Sequence, residues 1–330
     1  MMNSSQKMTV KKKRLKHDMK VVFMGTPDFA VGALEAIIEA GHEVVLVVTQ
    51  PDRQKGRGKE VQYSPVKECA LKHNIEVFQP LKIKEAAAVE NLKKYPADIF
   101  VVAAFGQILS QEILDMPKHG CVNIHASLLP KYRGAAPIQW CILDGEEKTG
   151  VTIMQMNAGL DTGDILMQKE IEIASDETGE SLFDRLATLG ASAIVEALPL
   201  IESGALVPTP QDDAKSTYAG MLKKDMGLID FSDDCAKIER YVRGLNSWPS
   251  AYTSYKGKTL KIWESSVATD GCLKKDVVPG EVVAVDKQSI YVCCGNGVLK
   301  ITSVQLEGKK RMNVSDFLLG YHIEVGEKLG

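Results

Sequence analysis

Several features that would place a chain in a specialised class are missing from this sequence. It has 330 residues, a formal net charge of −3 and only 6% aromatic residues. A charge this close to zero predicts neither a strongly nucleic-acid-binding protein nor a membrane-surface protein, although local patches can differ from the average. No apolar run reaches the roughly 18 residues that suggest a membrane span. Residues 1–18 also lack the apolar core of a secretory signal.

The cysteines form no recognisable functional pattern. None lies in a CxxC pair, and none has metal-ligand spacing with a histidine. Several lie inside apolar runs, as Cys293 and Cys294 do. We therefore predict ordinary buried thiols in a reducing, cytoplasmic compartment and no metal site. The full set is Cys69, Cys121, Cys141, Cys235, Cys272, Cys293 and Cys294.

The glycine pattern of a dinucleotide-binding loop is missing as well. The turn Gly25-Thr26-Pro27-Asp28 has the position of such a loop, between a predicted strand and a predicted helix, but not the G-x-G-x-x-G spacing. Pro27 also removes one backbone donor. A nicotinamide-dependent dehydrogenase is therefore disfavoured, and a tight strand-to-helix turn explains Gly25 by itself.

The length predicts two folded domains, because 330 residues exceed the usual size of one. Residues 1–18 are rich in lysine and are predicted to be a disordered basic leader, with a nucleic-acid-binding arm as the alternative. A larger domain is predicted over 19–204. A linker with proline and small polar residues is predicted over 205–222, and a second domain over 223–330.

Strand-like and helix-like segments alternate along the larger domain. Short apolar strands are predicted at 20–25, 43–49, 98–104 and 121–125, and helices begin at Pro27 and Pro65. A long helix is predicted over 177–202. This order predicts an α/β fold with a Rossmann-like, mostly parallel sheet and flanking helices. Ligands then belong at the carboxyl ends of the strands.

The pattern changes beyond about Lys223. One helical segment at 236–245 is followed by short alternating runs, which are separated by turn sequences such as Lys256-Gly257 and Gly295-Asn296-Gly297. Short antiparallel strands at this spacing predict a small C-terminal antiparallel β-barrel of the OB-like type.

Asn123 and His125 are the first candidates for chemistry. They lie two residues apart at the end of a predicted strand, so their side chains share one face at the rim of the sheet. An asparagine amide can donate a hydrogen bond to a developing oxyanion, and a histidine can donate one or move a proton near neutral pH. A hydrogen-bonded structural pair is the alternative.

Asp161 is the third candidate. It lies in the sequence G-L-D-T-G-D at 159–164, where two glycines bracket a carboxylate in a predicted loop. Asp161 could orient and charge-stabilise an imidazole or accept a proton from an amine, and an Asx-type turn is the alternative. Asp164 fits a turn or strand-start position better.

A basic loop follows the second strand. Its basic residues are Arg53, Lys55, Arg57 and Lys59, interspersed with glycine. Arginine and lysine both bind phosphates, and glycine permits close approach, so the loop could contact nucleic acid. A solvated loop is the alternative.

Together these motifs resemble the folate-dependent formyltransferases. The resemblance rests on S-L-L-P-K-Y-R-G-A-A-P-I at 127–138, the N-I-H before it and G-L-D-T-G-D at 159–164. Within that family it points to the members that act on charged tRNA. The motifs for this are G-T-P-D-F-A at 25–30, T-Q-P-D-R with G-R-G-K, S-P-V-K at 64–67 and G-V-T-I-M-Q-M at 150–156. The resemblance extends from about Met19 to the C-terminus, including N-S-W-P-S-A-Y-T at 246–253.

The resemblance implies a donor, an acceptor and a reaction. The donor would be 10-formyltetrahydrofolate, and the acceptor the α-amine of methionine on initiator methionyl-tRNA, giving formylmethionyl-tRNA for translation initiation. Asn123 and His125 would donate to the oxyanion. Asp161 would hold His125 protonated and help move the amine proton to N10 of the folate. Neither a metal nor a covalent enzyme intermediate is required.

The resemblance also implies the binding residues. The tRNA contacts would come from Arg53, Lys55, Arg57 and Lys59 and from the C-terminal barrel. The folate contacts would come from Phe105, Gly106, Ile108, Leu109, Ser127, Leu128, Leu129 and Pro130.

Two other functions stay open at this point. A formyltransferase of the same fold could act on a small amine, such as glycinamide ribonucleotide or an amino sugar, but it would need neither the basic loop nor the barrel. A non-enzymatic RNA-binding protein would not need Asn123, His125 and Asp161. Nothing in the sequence demands more than a monomer.

Overall fold

The computed structural model describes residues 19–55, 60–268 and 277–330, with only the backbone described at 53–55 and 60. The basic leader at 1–18 lies outside these residues. In the larger domain the elements are β1 Lys20–Gly25, α1 Asp28–Glu39, β2 Glu43–Val48, β3 Arg53–Lys55, β4 Glu60–Gln62, α2 Pro65–Lys72, β5 Val77–Phe78, α3 Ala86–Leu92, β6 Ile99–Ala103, α4 Gln111–Leu114, β7 Cys121–His125, β8 Arg133–Gly134, α5 Pro137–Leu143, β9 Lys148–Gln155, β10 Ile165–Glu172 and α6 Gly179–Glu202.

The rest of the chain begins with short elements and continues into a second sheet. Its elements are a 3-10 turn Asp213–Lys215, β11 Tyr218–Ala219, a 3-10 turn Lys224–Gly227, α7 Cys235–Gly244, β12 Ala251–Tyr255, β13 Lys258–Val267, β14 Val282–Val285, β15 Ile290–Cys293, β16 Val298–Leu306, β17 Met312–Asn313 and α8 Val314–Gly320.

The first sheet has seven strands in the order β10-β9-β7-β6-β1-β2-β5. The run from β7 to β5 is parallel, whereas β9 pairs antiparallel with both β7 and β10. Helices cover the sheet, so the Rossmann-like prediction is confirmed. The carboxyl ends of β1, β2, β6 and β7 therefore meet at one edge, where parallel sheets bind ligands.

Alternating side chains divide the core of this sheet between its two faces. Val21 and Phe23 pack on the face that α1 and α6 cover, whereas Val22 and Met24 pack on the face that α3 and α4 cover. All four are fully buried. A strand that is apolar on both faces is the expected pattern for the centre of a parallel sheet. Burying each such side chain stabilises the fold by about 1.5–3 kcal/mol.

The turn after β1 requires a glycine because there is no room for a side chain. A Cβ atom on Gly25 would lie 2.7 Å from the Cβ of Ala30 and 2.9 Å from the carbonyl oxygen of Ala103. The first helix can therefore start close to the sheet only because this position has no side chain. A packing role thus accounts for Gly25 without any cofactor.

The second sheet has six strands and is antiparallel throughout. Its order is β12-β13-β16-β15-β14, and β17 pairs with β16. A separate hydrophobic cluster fills it, with Leu260, Ile301 and Phe317 completely buried. This antiparallel sheet is the second architecture that the sequence predicts. Among the described residues, no helix is both long enough and apolar enough to cross a membrane.

Residues 205–222, which we call the connecting segment, join the two sheets. The segment is hydrogen-bonded to the larger domain: β11 pairs in parallel with β8, and Thr209 forms a bridge with Ile165. Trp140 also donates through its indole N–H to the carbonyl of Gly220 at 2.8 Å. The connecting segment therefore follows the surface of the larger domain on its way to the second sheet.

Candidate active site

Asn123 and His125 lie on the same face of β7, near its carboxyl end. Their neighbours on β9 are Met154 and Thr152. The side chain of Asn123 is half-buried and has no hydrogen-bond partner among the described residues. An asparagine amide left free at the edge of a parallel sheet can bind an oxygen of a ligand.

His125 is 5% exposed and lies between two oxygen atoms. Its Nε2 is 2.9 Å from the carbonyl oxygen of Tyr132, and its Nδ1 is 3.8 Å from Oδ2 of Asp161. A carbonyl can only accept, so Nε2 must carry a proton. Nδ1 then faces the carboxylate of Asp161. At 3.8 Å the two groups are within ion-pair distance but too far apart for a direct hydrogen bond.

The carboxylate of Asp161 is turned toward His125 by an unusual backbone conformation. Asp161 has a φ of 53°, a left-handed value that few residues other than glycine adopt. Its Oδ2 accepts a hydrogen bond of 2.8 Å from the backbone N–H of Gly134. The Asx-type role in this loop belongs to Asn157, whose Oδ1 accepts from the N–H of Gly159. Asp161 therefore contacts another loop, and the turn alternative does not apply to it.

The chain after His125 is fixed by buried polar contacts. Thr152 donates to the carbonyl of Ser127 at 2.7 Å and accepts from the N–H of Leu129 at 3.1 Å. Gln168 donates to the carbonyl of Leu129 at 2.9 Å. The hydroxyl of Ser127, itself fully buried, donates to the carbonyl of Lys131 at 2.7 Å. This loop is consequently held without help from a ligand.

The residues predicted to bind folate differ in their accessibility. Phe105, Leu109, Ser127 and Leu129 are buried, Leu128 and Pro130 are half-buried, and Gly106 and Ile108 are exposed. Ile108 exposes 75% of its surface. The exposed members follow β6, where Ala104 and Gly106 have φ values of 45° and 80°. The backbone thus turns sharply beside the end of β7.

A polar network that the sequence did not predict supports this edge. Thr26 donates to the carbonyl of Phe105 at 3.2 Å, and Gln50 donates to the same carbonyl at 3.1 Å. These contacts join the ends of β1, β2 and β6. Threonine and glutamine in strand-to-helix turns are too common for a single sequence to reveal such a network.

Below the basic loop lies a second polar cluster. Lys67 donates to Asp52 at 2.6 Å and to Gln79 at 2.8 Å, and Gln79 donates to Asp52 at 2.8 Å. Burial alone would raise the pKa of Asp52, but the hydrogen bonds from Lys67 and Gln79 outweigh burial and lower this pKa. Asp52 is therefore an anion that binds the start of the loop to α2 and β5.

The predicted tRNA-binding residues are only partly described. Arg53 and Lys55 belong to β3, which pairs antiparallel with β4. Their side chains, and the whole of Arg57 and Lys59, lie outside what the structure describes.

One group of metal-ligand side chains occurs among the described residues, and it includes none of the candidate catalytic residues. Glu35, Cys69 and His73 have ligand atoms within 4.8 Å of one another on α1 and at the end of α2. Burial, together with the nearby Glu35 carboxylate, raises the pKa of Cys69 to about 11. At neutral pH this thiol therefore keeps its proton, which a metal would have to displace.

Further residues of the site come from distant parts of the sequence. Gln211 donates a hydrogen bond to the backbone of the Asp161 loop. The exposed ring of Tyr218 covers Gly134, and a Cβ atom on Gly134 would lie 2.8 Å from that ring. Gly134 belongs to the motif at 127–138, whereas Gln211 and Tyr218 belong to no motif. The sequence offered no signal for Gln211 or Tyr218, because their positions depend on how the connecting segment folds back.

Comparison with known proteins identifies relatives along almost the whole chain. The family model described as formyl transferase matches residues 19–198, and that described as formyl transferase, C-terminal domain, matches residues 221–322. A methionyl-tRNA formyltransferase of Agathobacter rectalis is 57% identical over 308 residues, 93% of this chain and 98% of that protein. One from Lachnospira eligens is 54% identical over 314 residues, 94% of this chain and 100% of that protein.

The fold is shared with more distant solved structures. An N-formyltransferase from Helicobacter canadensis, solved with folinic acid and dTDP-3-aminofucose, superposes with a TM-score of 0.65 at 19% identity, covering 89% of this chain and 100% of that chain. Taken with the family matches to both of its halves, these findings show that the chain belongs to the formyl transferase family.

Proposed function

We propose that this protein transfers the formyl group of 10-formyltetrahydrofolate to the α-amino group of methionine on initiator methionyl-tRNA, which supplies formylmethionyl-tRNA for translation initiation. The observation that carries the proposal is the free amide of Asn123 beside the His125–Asp161 pair, at the carboxyl edge of the sheet. The names of the relatives that match almost the whole chain support the acceptor. The folinic acid bound to the Helicobacter protein supports a folate donor.

The reaction sets two requirements for the site. The amine nitrogen forms a bond to the formyl carbon, the bond from that carbon to N10 of the folate breaks, and one proton passes from the amine to N10. Between these events the formyl oxygen carries negative charge. The site must therefore stabilise an oxyanion and provide a path for a proton.

Asn123 and His125 meet the first requirement. The amide of Asn123 has no hydrogen-bond partner in the part of the chain that the structure describes and can donate to the oxyanion. Nδ1 of His125 lies 3.8 Å from Oδ2 of Asp161, which is too far for a hydrogen bond between them, so an N–H at this position can donate to an oxygen in the cleft.

Asp161 serves the second requirement as well as the first. Its carboxylate faces Nδ1 of His125 at 3.8 Å, and it can accept the amine proton directly or through water. The hydrogen bond that it accepts from the backbone N–H of Gly134 orients one of its oxygens, Oδ2. Its other oxygen, for which no hydrogen bond is found among the described residues, can face the acceptor.

We propose that the folate lies against the chain that follows β6. The exposed backbone at Gly106 and the exposed side chain of Ile108 would contact the ring system, with Leu128 and Pro130 closing the opposite side. Phe105, Leu109, Ser127 and Leu129 would shape the site from beneath, since they are buried.

The tRNA would be bound by the basic loop and by the C-terminal sheet. That sheet carries cations stacked on an aromatic ring: Lys261 lies 5.6 Å and Arg311 5.1 Å from the centre of the Trp263 ring. Trp248 is 54% exposed on the same half of the chain. Cations for the phosphates and aromatic rings for unpaired bases are what an RNA-binding surface needs.

The proposal includes the organisation of the protein in the cell. Residues 19–204 would form the catalytic domain and 223–330 the tRNA-binding domain, with the protein acting as a cytoplasmic monomer. The six cysteines described are all free and buried, which suits a reducing compartment. Light scattering on the purified protein would test the monomer.

The alternative acceptor is a small amine such as glycinamide ribonucleotide or an amino sugar. The same three residues would serve it, but it would give no role to the basic loop or to the cations around Trp263. Charged tRNA as the acceptor therefore accounts for more features of the protein than a small amine does.

A formyl-transfer assay with 10-formyltetrahydrofolate tests the proposal. The acceptors are methionine-charged initiator tRNA, charged elongator tRNA and glycinamide ribonucleotide. We expect strong preference for the initiator. Transfer to the small amine alone would keep the chemistry and overturn the partner, and folded protein that formylates none of them would overturn both.

A further inference from the structure

The connecting segment reaches the candidate active site through one side chain. Gln211 is half-buried, and its amide contacts four atoms on two loops. Its Nε2 donates to the carbonyl oxygens of Asp161 at 2.9 Å and Gly163 at 2.6 Å. Its Oε1 accepts from Nε of Arg133 at 3.0 Å and from Nη2 at 2.8 Å.

These contacts fix the orientation of the amide. The two carbonyls can only accept and the guanidinium can only donate, so the nitrogen must face the Asp161 loop and the oxygen must face Arg133. Only a side chain with a donor and an acceptor at one end satisfies both neighbours. Glutamate would keep the contact with Arg133 but would set a negative oxygen against the two carbonyls.

The two loops that Gln211 joins are those that hold the His125–Asp161 pair. Asp161 has the left-handed φ of 53°, and a hydrogen bond to its own carbonyl opposes rotation away from it. Arg133 directly precedes Gly134, whose N–H binds the Asp161 carboxylate. The same amide thus restrains the backbone of Asp161 and the donor that orients its side chain.

The loop that contains Asp161 has little room to adopt another conformation. A Cβ on Gly163 would lie 1.6 Å from the carbonyl oxygen of Gln155, so the loop is pressed against the end of β9. Arg133 is 11% exposed and forms a further ion pair with Asp213, whose side chain is 82% exposed. Gln211 is therefore the inner contact of the connecting segment, and Asp213 is an outer one.

We propose that Gln211 is a positioning residue for formyl transfer: it holds Asp161 at the distance from His125 that the reaction needs. The inference rests on the proposed function, because it presumes that Asp161 takes part in the chemistry. It assigns a role in the reaction to a segment that otherwise only connects the two sheets.

The test compares Gln211→Glu and Gln211→Ala with the unchanged protein in the formylation assay on charged initiator tRNA. Since a misplacement of about 1 Å can cost roughly 100-fold in rate, we expect kcat to fall about 10- to 100-fold. The KM values for folate and tRNA should stay within about threefold, and the melting temperature should change little, because Gln211 contacts neither core. Asp213→Ala, which removes the exposed partner of Arg133, is the matched control and should keep kcat.

A second comparison separates positioning from general destabilisation. In an Asp161→Asn background, Gln211→Glu should reduce kcat no further, because the group that it positions no longer works. A full additional loss in that background would overturn the proposal. So would a kcat within about twofold of the unchanged protein in both Gln211 variants, or a parallel fall of kcat, KM and melting temperature. An unchanged protein that formylates nothing would instead overturn the proposed function.

Discussion

At the scale of single residues, the site depends on a few atoms whose other partners are already fixed. Nε2 of His125 is bound to the Tyr132 carbonyl, which leaves Nδ1 and the amide of Asn123 as the proposed donors to a substrate oxygen. Oδ2 of Asp161 lies 3.8 Å from Nδ1, too far for a direct hydrogen bond. Each of the three residues can therefore be tested by itself.

Removing either proposed oxyanion donor should slow the reaction without unfolding the protein. We expect Asn123→Ala and His125→Ala each to lower kcat about 100- to 1000-fold, the typical effect of losing one such donor. Steady-state formylation with both substrates saturating measures this loss, and circular dichroism confirms the fold. Near-normal turnover in either variant would remove that residue from the mechanism.

Gly134 offers a test of the contact between the connecting segment and the site. Its φ is 118°, and an added Cβ would lie 2.7 Å from the carbonyl oxygen of Ala219. We expect Gly134→Ala to cost about 1–3 kcal/mol in the free energy of unfolding and to lower kcat, because it separates β8 from β11. Denaturant unfolding and the formylation assay measure the two effects.

Gly204→Ala is the matched control for this substitution. Gly204 has a φ of 70°, but nothing lies within 4 Å of the Cβ that it would gain. Gly204→Ala therefore places alanine at an unfavourable positive φ, as Gly134→Ala does, but causes no steric clash. The activity of this variant should stay normal. Equal loss of activity in both variants would contradict the explanation.

At the scale of single residues, the sequence indicated the relative placement of side chains where a local pattern existed, and their roles stay predictions. Asn123 and His125 share a face because strand residues alternate, and the structure brings Asp161 close to His125. Gln211 and Tyr218 could not be predicted, because their contacts join positions far apart in the chain, as the separation of 78 positions between Arg133 and Gln211 illustrates. Such contacts depend on the fold of the whole domain.

At the scale of secondary-structure elements, the edge of the first sheet is held by polar side chains that join strand ends. The cluster of Asp52, Lys67 and Gln79 lies where β2, α2 and β5 meet, directly before the basic loop. Its contribution depends on the charge of Asp52. The lowered pKa of Asp52 therefore predicts how this edge responds to acid.

We expect Asp52→Asn to reduce the acid sensitivity of the fold. A pKa that is lower in the folded than in the unfolded protein gives stability above the ordinary value of about 4, and this stability is lost as the pH falls through the lowered pKa. At pH 7 the variant should be less stable by about 1–3 kcal/mol, since Lys67 loses a charged partner. The difference should shrink as the pH falls below about 4.

Urea unfolding at several pH values measures this difference. Asp212→Asn is the control, because its carboxylate also has a lowered pKa but is fully exposed and caps a 3-10 turn that asparagine can cap as well. It should change stability little at any pH. A constant difference for Asp52→Asn from pH 7 to pH 3 would show that charge is not the cause.

The sequence predicted the central parallel strands and missed others, among them the eight-residue strands β9 and β10. β1 and β7 have the predicted bounds, because short apolar runs define a strand that packs on both sides. β8 and β11 have two residues each and exist only through their pairing with one another. No periodicity can be read from two residues.

At the scale of the whole molecule, the proposed chemistry lies in the first half of the chain, whereas the cations proposed to bind RNA are divided between the two halves. The net charge of −3 conceals this division, because the basic loop and the cations around Trp263 are balanced by acidic residues elsewhere. Affinity for tRNA should therefore depend on local phosphate contacts more than on the overall charge.

We expect binding of charged initiator tRNA to weaken steeply as salt rises, whereas folate binding should change far less. Arg57→Leu should weaken tRNA binding and reduce the slope of log affinity against log salt by about one, the effect of losing one phosphate contact. Filter binding across a salt series measures the slope. Lys94→Leu, which removes a cation from the surface beyond α3, is the control and should leave this slope unchanged. Equal loss of folate and tRNA binding in Arg57→Leu would indicate a structural role for Arg57.

The path of the connecting segment has a consequence for the time at which the protein becomes active during its own synthesis. Asn123, His125 and Asp161 are all translated before Gln211, and β8 acquires its partner only when Tyr218 and Ala219 have left the ribosome. A nascent chain that ends at residue 204 would contain all three proposed reacting groups, but the backbone carbonyl of Asp161 would still lack its hydrogen bond from Gln211. Given the positioning role proposed for Gln211, an enzyme that prepares the first amino acid of new proteins would thus gain full activity only after the ribosome has translated past residue 211.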